Sequence, residues 1–256
     1  MSSAITMEKV LTRMGELGLP LMAASFESYL AEAARSEQPL LEAIEALLDL
    51  EYYPRKERVA KTRLKVSGIP QIKRLEDYDL SWLKGGLSQK KFNELASLSF
   101  VERKENVVLA GPSGLGKTHL MLAIGYRACM SGYTAYHLRC LDAIEALLRA
   151  KETNRLKRKL SWFRKPHVLL IDEVGYESLT PEQANLFFQL VNARYEHGSM
   201  IITTNKKFGQ WGELMSEDAV ATATLDRLLH HCHVISLKGD SYRMKDRIKV
   251  GLTDSE

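Results

Sequence analysis

The chain has 256 residues, 45% of them hydrophobic and 27% charged, with a formal net charge of +4. That is the profile of a globular protein with room for one sizeable core and a small appendage; no apolar run approaches the ~18 residues of a membrane span, and the N-terminus lacks a signal-peptide core. Cys129, Cys140 and Cys232 have no paired spacing, so neither a disulfide framework nor a zinc site is suggested, and the expected compartment is cytoplasmic with no membrane partner.

Residues 1–67 read as a small all-helical domain. Met7, Val10, Leu11, Met14 and Leu17 recur at helical spacing until Gly18 and Pro20 break the run. A second helix is expected from about Leu21 to Ala34, and a third from Pro39, with Leu41, Ile44, Leu47 and Leu48 on one face. Pro54 suits the first turn of a further helix. That stretch carries Arg55, Lys56, Arg58, Lys61, Arg63 and Lys65 against the single acid Glu57, either a solvated face or a contact surface for a phosphate backbone. Gly68 and Pro70 mark a linker into a second domain, 68–256, whose first thirty residues show only a helical pattern around Ser88 to Ser99.

The most informative stretch is Gly111-Pro112-Ser113-Gly114-Leu115-Gly116-Lys117-Thr118, which matches G-x-x-x-x-G-K-[ST]. An apolar strand from Asn106 to Ala110 enters it, and a helix from Lys117 to about Met130, with His119 in its first turn, leaves it. Glycines let such a loop turn its N–H groups inward onto an anion, and the helix N-terminus adds partial positive charge. ATP with Mg²⁺ is the expected ligand: Lys117 reaches its phosphates and Thr118 its metal. Tyr78, in the lead-in Leu75 to Asp79, reads as a packing aromatic, with stacking on the adenine as the alternative.

Strand and helix then alternate, which implies a parallel sheet with right-handed crossovers. Thr134 to Leu138 is the second strand, Leu141 to about Leu160 the next helical region, and His167 to Ile171 an almost uninterrupted apolar strand ending in Asp172-Glu173. Asp172 at that strand end suits Mg²⁺, and Glu173 suits a base that takes a proton from the attacking water. Thr180-Pro181-Glu182-Gln183 has the form of a capping box opening a helix to about His197. Ser199 to Thr204 is a fourth strand, ending at Asn205, which either senses the γ-phosphate or makes a turn. A helix from Ala219 to His231 carries Arg227, Val234 to Leu237 is a fifth strand, and Gly239-Asp240-Ser241-Tyr242-Arg243 closes the pattern.

These motifs resemble an AAA+ P-loop ATPase of the IstB/DnaC-like branch, and the N-terminal helices resemble the IstB-type transposition helper. The resemblance implies an α/β core with a five-stranded parallel sheet, preceded by the helical domain and with too little chain after Arg243 for a C-terminal lid. It also implies that Lys117, Glu173, Asn205 as sensor 1 and Arg227 as arginine finger act in catalysis, with Arg243 among the nucleotide-binding residues. The partners it implies are a cognate transposase and further copies of the chain, sharing ATP sites at subunit interfaces. An extra helical element after the second strand is a family site of DNA or partner contact. Here Arg149, Lys151, Arg155, Lys157, Arg158, Lys159, Arg164 and Lys165 stand against Glu152 alone, which fits largely sequence-independent duplex DNA binding. A helicase loader of the DnaC type is the alternative within the ATPase class; a small-molecule kinase, the alternative outside it, has no use for the basic tracts.

Overall fold

The computed structural model describes residues 2–242, with side chains from Thr6 onward. They fall into two compact units, divided between Thr62 and Arg63.

In the first unit, α1 (Ser2–Glu16) and α2 (Pro20–Arg35) are separated by Gly18, whose positive φ of 69° suits the turn, and Pro20 opens α2. Met14, Met22 and Leu47 form its small core, with Val10, Phe26 and Leu30 packed against them. Helix α3 (Leu40–Val66) departs from expectation, because it runs unbroken through Pro54. Pro54 therefore begins no helix; it sits inside one, and the bond its N–H would give to the Leu50 carbonyl is missing. The flanks are rich in Leu, Ala, Glu, Lys and Arg, which favour helix strongly enough to carry it past the break. Of the expected apolar face, Leu47 is buried, whereas Leu41, Ile44 and Leu48 are exposed.

The second unit is built on a parallel sheet in the order β3-β4-β5-β2-β6: β2 (Asn106–Ala110), β3 (Ala135–Arg139), β4 (Val168–Val174), β5 (Ser199–Thr204) and β6 (Cys232–Ser236). Side chains alternate across each strand, so every strand feeds two cores. Val107, Leu109, Val168 and Leu170 face α6 (Lys117–Met130), with Leu120, Met121 and Ile124. Val108, Leu169, Ile171 and Ile202 face the other way, onto α7 (Cys140–Glu152), α9 (Pro181–Arg194) and α11 (Asp218–Leu229). This double burial is why the strand sequences are nearly continuous apolar runs. The capping box at Thr180 is present in full, with Thr180 accepting from Gln183 N and the Gln183 side chain accepting from Thr180 N.

Several local expectations are corrected. The helical region after β3 is two helices, α7 and α8 (Leu156–Phe163), because Thr153 Oγ1 bonds the Arg149 carbonyl and Asn154 takes a left-handed φ of 54°. Strand β3 starts one residue later than expected, and β6 starts two residues earlier. Gly68 is no free linker: Ser67 O accepts from His137 N at 2.7 Å, so this segment docks on the edge strand β3. Short helices α4 (Gln89–Ala96), α5 (Ser99–Glu102) and α10 (Trp211–Leu214) complete the unit, with a two-stranded antiparallel ribbon of β1 (Leu83–Gly85) and β7 (Lys238–Gly239). Among the described residues no helical lid follows β6, and Arg243 lies outside them.

Candidate active site

The phosphate loop runs from the C-terminal end of β2 to the first turn of α6, so Gly111 to Thr118 lie where open α/β sheets bind ligands. Its shape depends on glycine at two close approaches. Gly116 has φ 77° with the Tyr78 ring 3.1 Å from where a Cβ would sit; Gly114 has φ 87° and would drive a Cβ into the Ser241 side chain. Pro112 and Ser113 form the exposed rim, where Ser113 Oγ meets the Tyr176 hydroxyl at 3.2 Å. Leu115 is buried and anchors the loop to the core. Lys117 is 5% exposed and its ammonium spans the loop, donating to the carbonyls of Gly111 and Pro112 at 2.7 Å each.

Strand β4 supplies the acids. Asp172 is buried, and Thr118 Oγ1 donates to its Oδ1 at 3.1 Å across the gap from α6. The same Oδ1 also accepts from Thr203 Oγ1 and from Glu173 N. These donors hold the carboxylate in one orientation. Glu173 is aimed differently by the backbone. Between Ile171 and Val174 the β4–β5 register slips, two residues of β4 sitting where β5 has one. Glu173 occupies this bulge with φ 62°, and its side chain is exposed at the sheet's upper edge. A left-handed glutamate is strained by roughly 1–3 kcal/mol, and such strain persists where neighbours over-determine it. Here the neighbour is Thr203 Oγ1, which accepts from Glu173 N at 2.9 Å.

Thr203, for which the sequence suggests no role, is thus the residue that links both acids. Asn205 stands exposed just past β5. No sequence signal singles Thr203 out, because β5 carries three buried hydroxyls, Ser199, Thr203 and Thr204.

Tyr78 is a packing residue at the base of the loop. Its hydroxyl donates to Leu115 O at 3.3 Å, its ring stacks on Phe92 with centroids 6.0 Å apart, and burial pushes its phenol up to about 12. His119 lies edge-on to the same ring at 5.5 Å, and burial lowers its imidazole. Across the loop, Tyr242 N donates to Gly114 O at 2.8 Å, and Trp82 packs edge-on against the Tyr242 ring. The orphaned Nε2 of His119, the glycine cradle and the Thr118–Asp172 pair together form a donor set that fits a Mg²⁺–nucleotide.

Arg227 is not brought to this loop. Its Nε donates to Asn192 Oδ1 at 2.8 Å, and its guanidinium lies 4.9 Å over the Phe188 ring. The next residue, Leu228, accepts through its carbonyl from the side chain of Asn106, which opens β2, whereas the loop follows the far end of that strand. Five residues of strand, about 17 Å, separate them.

The basic residues are on two surfaces. Arg55, Lys56, Arg58, Lys61 and Lys65 are exposed along α3 and Arg63 is half-buried, with Lys61 paired to Glu57. Arg149 and Lys151 end α7, where they pair with Glu145 and Glu182. Arg155 precedes α8, and Lys157, Arg158 and Lys159 lie on it. Arg149, Arg155, Arg158 and Lys159 line one concavity with Trp162, over whose ring Lys159 sits at 4.5 Å. Arg194, by contrast, is fully buried. It donates to five carbonyls (Phe163, Arg164, Pro166, His167 and Ser199) and fastens the end of α8 to the sheet.

Known proteins resemble the chain over most of its length. The family described as IstB-like ATP binding protein matches residues 12–250. A protein of insertion sequence IS21 from Pseudomonas aeruginosa, named for ATP binding, is 43% identical over 226 residues, covering 88% of this chain and 85% of its own. A counterpart from insertion sequence IS5376 of Geobacillus stearothermophilus is 39% identical over 231 residues, 90% of this chain and 92% of its own. Among solved structures, DnaI matches with TM-score 0.52 at 22% identity over 67% of this chain and 90% of its own, and the DnaC helicase loader with TM-score 0.52 at 19% identity over 64% and 96%. At those identities the likeness is one of fold, an α/β P-loop core on a five-stranded parallel sheet. No helix among the described residues is long and apolar enough to cross a membrane. With the phosphate loop at the end of β2, the acids at the end of β4 and a match over nearly its whole length, the chain belongs to the IstB-like ATP-binding protein family.

Proposed function

We propose that the protein is an ATP-hydrolysing transposition helper that assembles as a homo-oligomer on target duplex DNA and engages a cognate transposase. The observation that carries the hydrolytic part is the convergence of Thr118, Asp172 and the bulged Glu173 beside Lys117 at one end of the sheet. Bound Mg²⁺–ATP supplies the scissile phosphoanhydride and an electrophilic phosphorus. Lys117 trades its contacts with the Gly111 and Pro112 carbonyls for phosphate oxygens, and the loop N–H groups hold the rest of that charge. Thr118 Oγ1 and Asp172 would hold the metal, their present mutual bond showing that they already share one spot. Glu173, thrust out by the bulge, orients a water and takes its proton, while Asn205, just past β5, contacts the γ-phosphate. Exposure of both suits groups that must meet a ligand. The DNA and transposase parts rest on the basic concavity of α7–α8, the exposed basic residues of α3, and the insertion-sequence names of the relatives.

The deciding experiment is ATP turnover with Mg²⁺, with and without duplex or single-stranded DNA. Wild-type protein is expected to hydrolyse ATP and to be stimulated more by duplex; Glu173→Gln keeps its ATP affinity but loses about 10²-fold or more in rate, as removal of a general base does. Lys117→Ala loses binding itself. Wild-type turnover by Glu173→Gln would reject the base assignment, and preference for single strands would favour a helicase-loading role.

A further inference from the structure

The first unit carries an apolar groove of about 720 Å³, lined by Leu19, Leu41, Ile44, Leu48 and Tyr52. The last four stand at i, i+3, i+7 and i+11 of α3, so they form one stripe roughly 16 Å long. All four are between 43% and 78% exposed. A contiguous apolar surface of this kind marks a place where another chain sits.

The rim of the groove is acidic, with Glu45, Asp49 and Glu51 on it and Arg55 one turn past Tyr52. Glu51 is engaged within the unit, its Oε2 accepting from Leu21 N at 2.9 Å and from Met22 N at 3.4 Å. Glu45 and Asp49 are in no ion pair among the described residues. Such a groove takes an amphipathic segment with apolar anchors at helical spacing and basic flanks. A second groove is a poor occupant, because the carboxylates would then meet like charge. Helix α8 has a suitable composition, but Leu156, Leu160 and Phe163 turn its apolar face into the core. The stretch 244–252, beyond the described residues, has it too. Met244, Ile248 and Leu252 recur every four residues, and Lys245, Arg247 and Lys249 stand between them against Asp246 alone. It begins two residues after Tyr242, whose N–H is held on Gly114 O of the phosphate loop.

We infer that the groove of one copy takes residues 244–252 of another, with Met244, Ile248 and Leu252 along the α3 stripe and Lys245 and Lys249 on Glu45 and Asp49. The two cations are four residues apart in sequence, and so are the two carboxylates, so at helical spacing they match in step. The contact is heterologous, joining the C-terminal segment of one copy to the first unit of the next. It therefore links copies in a row or a ring instead of pairing them. This rests on the homo-oligomer reading and gives that assembly a contact that needs no nucleotide.

Sedimentation of the full-length, nucleotide-free protein at low salt measures the association. Lys245→Glu with Lys249→Glu should weaken it about tenfold, and Glu45→Lys with Asp49→Lys equally, the scale of two reversed ion pairs. All four substitutions in one chain should restore it to within about threefold of wild type, a recovery that misfolding cannot imitate. Engineered thiols identify the occupant. Leu48→Cys protein mixed with Ile248→Cys protein should give a disulfide-linked mixed dimer on mild oxidation, whereas Glu27→Cys, exposed on α2, should give none with Ile248→Cys. Linkage of Leu48→Cys protein to itself, or only within a chain that carries both cysteines, overturns the inference, as does a fourfold variant that fails to recover. If the wild type associates and no charge change matters, this contact is excluded and the oligomer stands. If neither concentration, nucleotide nor DNA yields an oligomer, the assembly reading fails and the contact falls with it.

Discussion

A single hydroxyl does much of the positioning in this site. Thr203 Oγ1 donates to Asp172 and accepts from Glu173 N, so it connects the residue suited to the metal with the residue suited to the water. Thr203→Val keeps the shape and removes both bonds, leaving Glu173 N with its longer bond to Asp172 Oδ1 at 3.1 Å. A lost buried hydrogen bond of this kind costs about 1–3 kcal/mol. The strained φ of Glu173 then has less to hold it. Thr203→Val should therefore lower the ATP turnover rate about tenfold or more while ATP affinity changes by less than a factor of about three, and side-by-side measurement of both on a variant with a normal thermal melt checks it. A loss confined to affinity would show that Thr203 supports the loop instead.

At the scale of elements, α7 and α8 owe their basic concavity to the break at Asn154. One straight helix would wind the cations around its surface; two short helices bring Arg149, Arg155, Arg158 and Lys159 to one hollow. Log affinity for duplex falls by ~0.9 per phosphate neutralised for each tenfold rise in salt, so a surface that holds several phosphates has a steep salt slope. Replacing Arg155, Lys157, Arg158 and Lys159 with Gln should flatten that slope by roughly two to three and weaken all duplex sequences alike. Lys159 also covers the Trp162 and Phe163 rings, so the quadruple variant should melt somewhat lower. Affinity titrations at several salt concentrations settle the matter: an unchanged slope means that this hollow faces only solvent.

For the whole molecule the question is how a site at one end of the sheet obtains its last cation. Lys117 is the cation of the loop, and transfer of a phosphoryl group spreads charge over oxygens that one ammonium cannot cover. Arg227, at the other end of the strands, cannot swing some 17 Å to its own loop. Any catalytic part it plays is therefore at the ATP site of a neighbouring copy, and its bond to Asn192 and its place over the Phe188 ring fix its position on this surface. Turnover per subunit should then rise with protein concentration and with DNA that promotes assembly. Arg227→Ala should bind ATP normally and hydrolyse it about 10³-fold more slowly, the lower end for an arginine finger. Mixing it with Lys117→Ala should restore part of the activity, since a mixed interface joins an intact loop to an intact arginine. Full activity in a dilute monomer would exclude the arrangement.

Legibility followed the range of the forces involved. The phosphate loop, the five core strands and the capping box at Thr180 could be read directly, because glycine stereochemistry, double-sided burial and cap hydrogen bonds are local and leave their marks in neighbouring residues. The place of Asp172 and Glu173 at the end of a core strand could be read as well, because the apolar run before them marks that strand. What the sequence could not decide were matters of partners brought from afar. The helix through Pro54 and the break at Asn154 depend on whether flanking propensity or a local breaker prevails, and the two cases went opposite ways. The bulge at Glu173 follows from pairing with β5, some thirty residues downstream. Thr203 and Arg194 look like ordinary members of a strand and a helix until their bonds to Asp172 and to five distant carbonyls are seen. Motifs that reside in one continuous segment could be read from the sequence alone; which atoms of separate segments meet was decided only by the packed tertiary structure, because hydrogen bonds are specific at the scale of a few tenths of an ångström.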